Sequence, residues 1–153
     1  MHPLFTLLPE AVGSVRAATK SAILEQLAER FAVVYDLDRE HILQRIQERE
    51  ALGSTGFGRG VAIPHARITD LHRPVAAFLR LDAPVDFDAA DSAPVNFVFG
   101  LLSPETAGAA HLHALAAISR MMRDEPMHQA LAQAPGAEAL YGLLSNVIDR
   151  DAA

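Results

Sequence analysis

The chain contains no cysteine and no tryptophan. Without cysteine there is no disulfide framework, no thiolate zinc site, no iron–sulfur cluster and no thiol nucleophile. Such usage fits a reducing compartment. Basic residues are in the minority: Lys and Arg total 13 against 19 Asp and Glu, a formal net charge of -6. No basic block stands out, so binding to a nucleic-acid backbone is not expected. No apolar run approaches the roughly 18 residues of a membrane span. The stretch from Met1 to Glu10 has neither a cationic start nor a long apolar centre, and no signal peptide is expected. What is present is 153 residues, half of them hydrophobic. That is enough to bury a core without metals or cross-links, so one domain is expected over residues 1–153. The expectation is an acidic, soluble, cytoplasmic protein.

Helical periodicity is strongest at the two ends. Ile23, Leu24, Leu27, Phe31 and Val34 share one face of a helix from about Lys20 to Val34, with Thr19 as its N-cap. A second helix follows Asp38, carries Ile42, Leu43 and Ile46 on one face, and ends near Leu52 at Gly53. Four glycines in eight residues, Gly53 to Gly60, read as a loop. Val61 to Ile63 is then a short strand stopped by Pro64. Val75 to Leu81 reads as a strand, the Asp-rich stretch Asp82 to Pro94 mostly as loop, and Val95 to Leu102 as a buried central strand. Helices follow from about Ala109 to Arg123, after Asp124-Glu125-Pro126, and after Pro135-Gly136, where Leu140, Leu143, Leu144, Val147 and Ile148 form a stripe. Strands and helices are not strictly interleaved. The expected fold is therefore an α/β single-domain sandwich with a central mixed β-sheet flanked by helices.

Seven histidines and no cysteine make histidine the candidate reactive group. His65 follows a strand and a proline, lies just after the glycine loop, and has Arg67 two residues on. A side chain at a strand end after Pro64 can be held at a cleft mouth; it can equally be a hydrogen-bonded loop histidine. At about 100° per residue, His111 shares a direction with Leu115, Ile118 and Met122, while His113 points away from them beside Arg120. His111 is thus expected to face inward, in a first helical turn whose free N–H groups favour an anion. A core histidine satisfied by a carbonyl is the other reading. An H-x-H metal site needs both rings on one side, so no metal is expected. The glycine loop lacks the Lys-Ser/Thr of a nucleotide loop and precedes a strand instead of following one. It can offer backbone N–H groups to a phosphate, or serve as a plain connector. Arg49, at the end of the preceding helix, can reach the same cleft or lie free on the surface.

The string from Arg49 through Gly53, Ser54, Thr55, Gly56, Phe57, Gly58, Arg59, Gly60, Pro64 and His65 to Arg67 resembles the signature of the mannitol/fructose-type IIA domains of the bacterial sugar phosphotransferase system. The likeness continues through Ala83 to Asp88, Pro94 to Leu102 and His111 to Leu115, so it spans nearly the whole chain. Within that family, the chain length and the His-Leu-His start of the helix look most like the nitrogen-regulatory branch. Phe57 and Arg59 stand where aliphatic and Asn residues are common, which bears on partner choice. The resemblance implies that His65 accepts a phosphoryl group from a phosphohistidine on a small HPr-like carrier. It further implies that His111 stabilises the phosphoryl oxygens and that Arg49 stands beside the site. Gly53, Ser54, Thr55, Gly56, Phe57, Gly58, Gly60 and Arg67 are the expected phosphate and partner contacts. No metal or nucleotide cofactor is implied, because the donor arrives activated. Downstream, the resemblance implies regulated protein targets or, in a sugar-uptake role, a separate IIB subunit. A binding module that no longer turns over is a third reading, against which intact His65, His111 and Arg49 argue.

Overall fold

The computed structural model describes residues 3–152. A single 3-10 turn, Pro9–Ala11, leads into strand β1, Val12–Val15, and helices α1, Lys20–Tyr35, and α2, Arg39–Leu52. Four strands and a long pairing partner follow: β2, Gly56–Gly58; β3, Val61–Ala62; β4, His65–Ile68; β5, Val75–Val85; and β6, Val95–Pro104. Helices α3, Ala109–Met122, α4, Glu125–Gln133, and α5, Ala137–Ala152, complete the chain. Among the described residues no helix is long and apolar enough to cross a membrane.

The helix boundaries follow from short polar side chains that occupy free N–H groups. Thr19 Oγ1 accepts from Ala22 N at 3.1 Å, Asp38 from Glu40 N at 3.1 Å and Asp124 from Met127 N at 3.1 Å. Thr19 and Asp38 are at the helix starts expected from the sequence; Asp124 was expected only to open the helix, not to cap it.

The sheet is mixed, in the order β1-β5-β6-β3-β2, with β4 also paired to β6. β5 and β6 run antiparallel, and β1 lies parallel to β5. On the far side of β6, both β3 and β4 run parallel to it in one register: Val61 pairs with Phe97, and His65, four residues on, pairs with Leu101. β3 ends before Pro64, as expected, but the chain does not leave the sheet there. Proline removes a donor but not an acceptor, and Leu101 N donates to Pro64 O at 3.0 Å. Because β4 is an edge strand, the missing N–H interrupts no second ladder, and pairing resumes at His65.

The glycine stretch is corrected as well. It is not a plain loop: Gly56–Gly58 forms β2 and turns back on β3. The turn needs positive φ at Gly58 (109°) and Gly60 (77°), which glycine adopts without strain, and also at the non-glycine Arg59 between them (58°). β1 was not legible from the pattern, since Gly13 and Ser14 interrupt its two valines. β5 and β6 extend past their expected ends at Leu81 and Leu102.

Side chains alternate across the sheet, which assigns the layers. Gly100 faces α1; a Cβ there would lie 2.9 Å from atoms of Leu27 and Phe31. Phe97 faces the other way, its ring edge-on to His128 of α4. Its cross-strand neighbour Arg80 caps the end of α4 through Leu131 O and Ala134 O at 2.9 and 2.6 Å. Phe31, Phe78, Phe99, Leu79 and Leu101 fill the fully buried interior. The α/β sandwich with a mixed central sheet is as expected.

Candidate functional site

The interrupted strand puts His65 at the head of β4, where α2 and the start of α3 leave a cleft of about 410 Å³ over the open sheet edge. His65, Arg67, Arg45, Arg49 and His111 all line it, together with Glu48 and Leu52. Residues far apart in the chain meet there because β4 and β6 are in register. His65 lies opposite Leu101 and Arg67 opposite Ser103, two residues along the same face.

His65 is held by its own strand. Its Nδ1 lies 2.8 Å from Ile63 O. A carbonyl only accepts, so Nδ1 carries the ring proton and Nε2 keeps a lone pair. Burial lowers the His65 pKa below the ordinary histidine value; the Ile63 carbonyl opposes this, and the Arg49 charge adds to it. The ring is neutral at pH 7.

His111 is buried in the first turn of α3, and its ring centroid lies 5.5 Å from that of His65. Its Nδ1 meets Ser103 Oγ at 2.7 Å. Burial, then the neighbouring His65 and Arg67, push its pKa down to about 4. His113 is exposed on the opposite face of α3, as the helical phase requires. The two rings of the H-x-H string thus diverge.

Three guanidinium groups supply positive charge. Arg49 donates to Gly53 O at 2.8 Å and Arg67 to Gly108 O at 3.4 Å. Neither has a carboxylate partner among the described residues. Arg45 donates to Arg67 O at 3.1 Å and is ion-paired with Glu48 and Glu105 at 3.7 and 4.0 Å. With two neutral imidazoles and more cations than anions, the cleft favours an anionic ligand.

The structure brings Arg49, His65, Arg67 and His111 together. Residues 53–60, expected as phosphate and partner contacts, are not among those lining the cleft. Most polar groups of the stretch are used internally, although the buried Thr55 hydroxyl has no partner among the described residues. Thr55 N donates to the Glu50 carboxylate at 3.0 and 3.2 Å, and Gly56 N to Ser54 Oγ at 3.1 Å. Ser54 Oγ donates to Phe87 O at 2.7 Å. Gly56 O accepts from Ala90 N, and Gly60 O from Asn96 N and Phe97 N. Gly58 shapes the turn, and Gly53 serves the site indirectly by fixing Arg49. Phe57 is half-buried and packs against the core.

Three residues escaped the sequence reading. Arg45 lies one helical turn before Arg49, a spacing that shares a face. Glu50 lies four residues beyond Ile46 on the buried stripe of α2, and a carboxylate on such a stripe needs a partner; Lys20 provides it at 3.0 Å. Ser103, just beyond the apolar run, left no signal beyond its being polar.

A family model for the phosphoenolpyruvate-dependent sugar phosphotransferase system, EIIA 2, matches residues 10–147. A nitrogen regulatory protein of Pseudomonas aeruginosa is 44% identical over 135 residues, covering 88% of each chain. A fructose-specific EIIA component of Haloferax volcanii is 35% identical over 112 residues, 73% of each chain. The crystal structure of the nitrogen regulatory protein IIA-Ntr from Neisseria meningitidis superposes with a TM-score of 0.84 at 32% identity, covering 90% of this chain and 95% of that one.

Proposed function

Because the chain belongs to the EIIA 2 family of the phosphoenolpyruvate-dependent sugar phosphotransferase system, we propose that it is a cytoplasmic phosphoryl carrier whose acceptor atom is Nε2 of His65. The single observation that carries this assignment is the hydrogen bond from His65 Nδ1 to Ile63 O, 2.8 Å long. It leaves Nε2 as the free nucleophile of a ring kept neutral by burial.

The donor is a phosphohistidine on a small HPr-like carrier. Nε2 attacks phosphorus in line as the donor's P–N bond breaks, and the donor ring takes back that electron pair. Such transfers depend on positioning and charge neutralisation more than on proton transfer. Arg49 and Arg67, free of carboxylate partners, balance the phosphoryl charge, and His111 donates to an equatorial oxygen. As Nε2 bonds to phosphorus, positive charge grows on the His65 ring, and the Ile63 carbonyl stabilises it through Nδ1–H. The cleft is shallow, and Leu52 on its wall is 86% exposed. Leu112, next to His111, is 61% exposed. An open cleft with an apolar rim suits a protein donor better than a small molecule.

The output is regulatory, by phosphorylation-dependent binding to target proteins, in line with the nitrogen regulatory relatives. Onward transfer to a IIB subunit is the second reading, favoured by the fructose-specific relative. Incubation with phosphorylated carriers of the nitrogen and the sugar branch, followed by intact-mass analysis, separates the two. Faster labelling by the nitrogen-branch carrier is the expected result. Labelling by the sugar-branch carrier with rapid passage to a IIB subunit would favour uptake, and no labelling by either would refute the carrier role.

A further inference from the structure

We propose that Ser103 is a positioning residue that holds His111 as the Nε2–H tautomer, so that this proton points into the cleft where phosphoryl oxygens are to be bound. The inference rests on the carrier reading for its purpose, but its geometry stands without it.

Ser103 is fully buried on β6. Its hydroxyl lies 2.7 Å from His111 Nδ1, its one side-chain hydrogen-bond partner among the described residues. Two tautomers can be written for a neutral His111. If Nδ1 carried the proton, it would donate to Ser103 Oγ, and the buried hydroxyl proton would have no acceptor. Nε2 would then turn a lone pair toward the anion, which repels it. If Ser103 donates to Nδ1, the hydroxyl is satisfied and Nε2–H faces the cleft as a donor. Only the second arrangement leaves no buried donor idle. Which nitrogen of a histidine carries the proton is set by the hydrogen bond the other one makes. His111 stays neutral because burial, His65 and Arg67 hold its pKa at about 4, so the tautomer decides what it offers a ligand. The register of the sheet ties the device to the site, since Ser103 pairs with Arg67, two residues along from His65.

Nitrogen-15 NMR of the full chain reads the tautomer directly, without any transfer reaction. The wild type is expected to show His111 protonated on Nε2. Ser103→Ala leaves His111 Nδ1 without its partner; it is expected to stay folded with a melting temperature lowered by about 2–6 °C and to lose the single tautomer. In single-turnover transfer from a phosphorylated carrier, Ser103→Ala is expected to lose about 10-fold, by analogy with the partners that orient histidines at metal sites. In a His111→Ala background the same change is expected to cost nothing further, and Ser103→Thr, which keeps the hydroxyl, to restore the tautomer. A wild-type His111 protonated on Nδ1 would overturn the proposal. So would an unchanged tautomer in Ser103→Ala, or a loss of equal size in the His111→Ala background. A wild type that takes no phosphoryl group would sink the carrier reading, while the spectrum still decides the tautomer.

Discussion

Glu50→Ala is expected to be among the most damaging single changes outside the apolar core. The carboxylate is 8% exposed and holds two groups: Lys20 Nζ at 3.0 Å and Thr55 N at 3.0 and 3.2 Å. Removing it leaves a buried backbone N–H without an acceptor, which costs about 1–3 kcal/mol. It also leaves the Lys20 ammonium without its counter-charge, 4.7 Å from the centre of the Phe87 ring. Breaking a buried pair from one side costs about 3–5 kcal/mol in total. The Lys20 side chain keeps 22% exposure and can turn toward water, so the lower end, about 3 kcal/mol, is expected. In a chain of this length that lowers the melting temperature by about 6–12 °C. Glu50→Gln keeps an acceptor for Thr55 N and is expected to lose about half as much. The damage also travels. Thr55 O accepts from Ile63 N at 3.0 Å, and Ile63 O orients His65, so transfer should slow even in the milder variant under conditions where it is fully folded. Thermal and urea denaturation give the energies. A Glu50→Ala protein melting within about 2 °C of the wild type would refute the view that this pair secures the segment behind His65.

Two further outcomes concern the histidines. His111→Ala is expected to stay folded and slow single-turnover transfer by about 100-fold or more, the usual loss for a charge-stabilising donor. His113→Ala, on the exposed face, should be nearly silent; equal losses would show the helical phase to be irrelevant. The second outcome is the pH dependence of stability. His111 titrates near 4 when folded but near 6.5 when unfolded, so between these values the unfolded chain binds the extra proton. The stabilisation is therefore complete above about pH 6.5 and is lost as pH falls toward 4. Urea denaturation at pH 7.5 and 5 should show a drop in stability to which His111 contributes about 1–2 kcal/mol; the drop is expected to shrink by that share in His111→Gln, the remainder coming from groups such as His65, whose pKa is also lowered. A drop unchanged by that substitution would contradict the assignment.

Much of the fold was legible because its cues are local. Thr19 and Asp38 are caps that act within three residues, and the apolar run from Val95 to Leu102 can only be a buried strand or helix segment. What escaped depends on distant partners. β1 has too few apolar residues to mark itself, and exists because β5 offers a parallel edge. Pro64 looked like a terminator, yet the proline carbonyl still accepts from Leu101 N on β6. The glycine stretch carried the family likeness and so pointed to the right neighbourhood. Its internal bonding was not legible, because its polar groups bind Glu50, Phe87, Ala90 and Asn96, partners that no local pattern reveals. His111 was placed correctly by phase alone, whereas Ser103, the group that orients it, lies eight residues back on another element.

The most direct test of the account is the attachment point of the phosphoryl group. The protein, labelled with nitrogen-15 in its histidines, is phosphorylated by a carrier and examined by phosphorus and nitrogen NMR. The expected result is a single phosphohistidine at residue 65, bonded through Nε2, with Nδ1 still protonated and donating to Ile63 O. A phosphoryl group on Nδ1, or label that persists in full in His65→Ala, would contradict it.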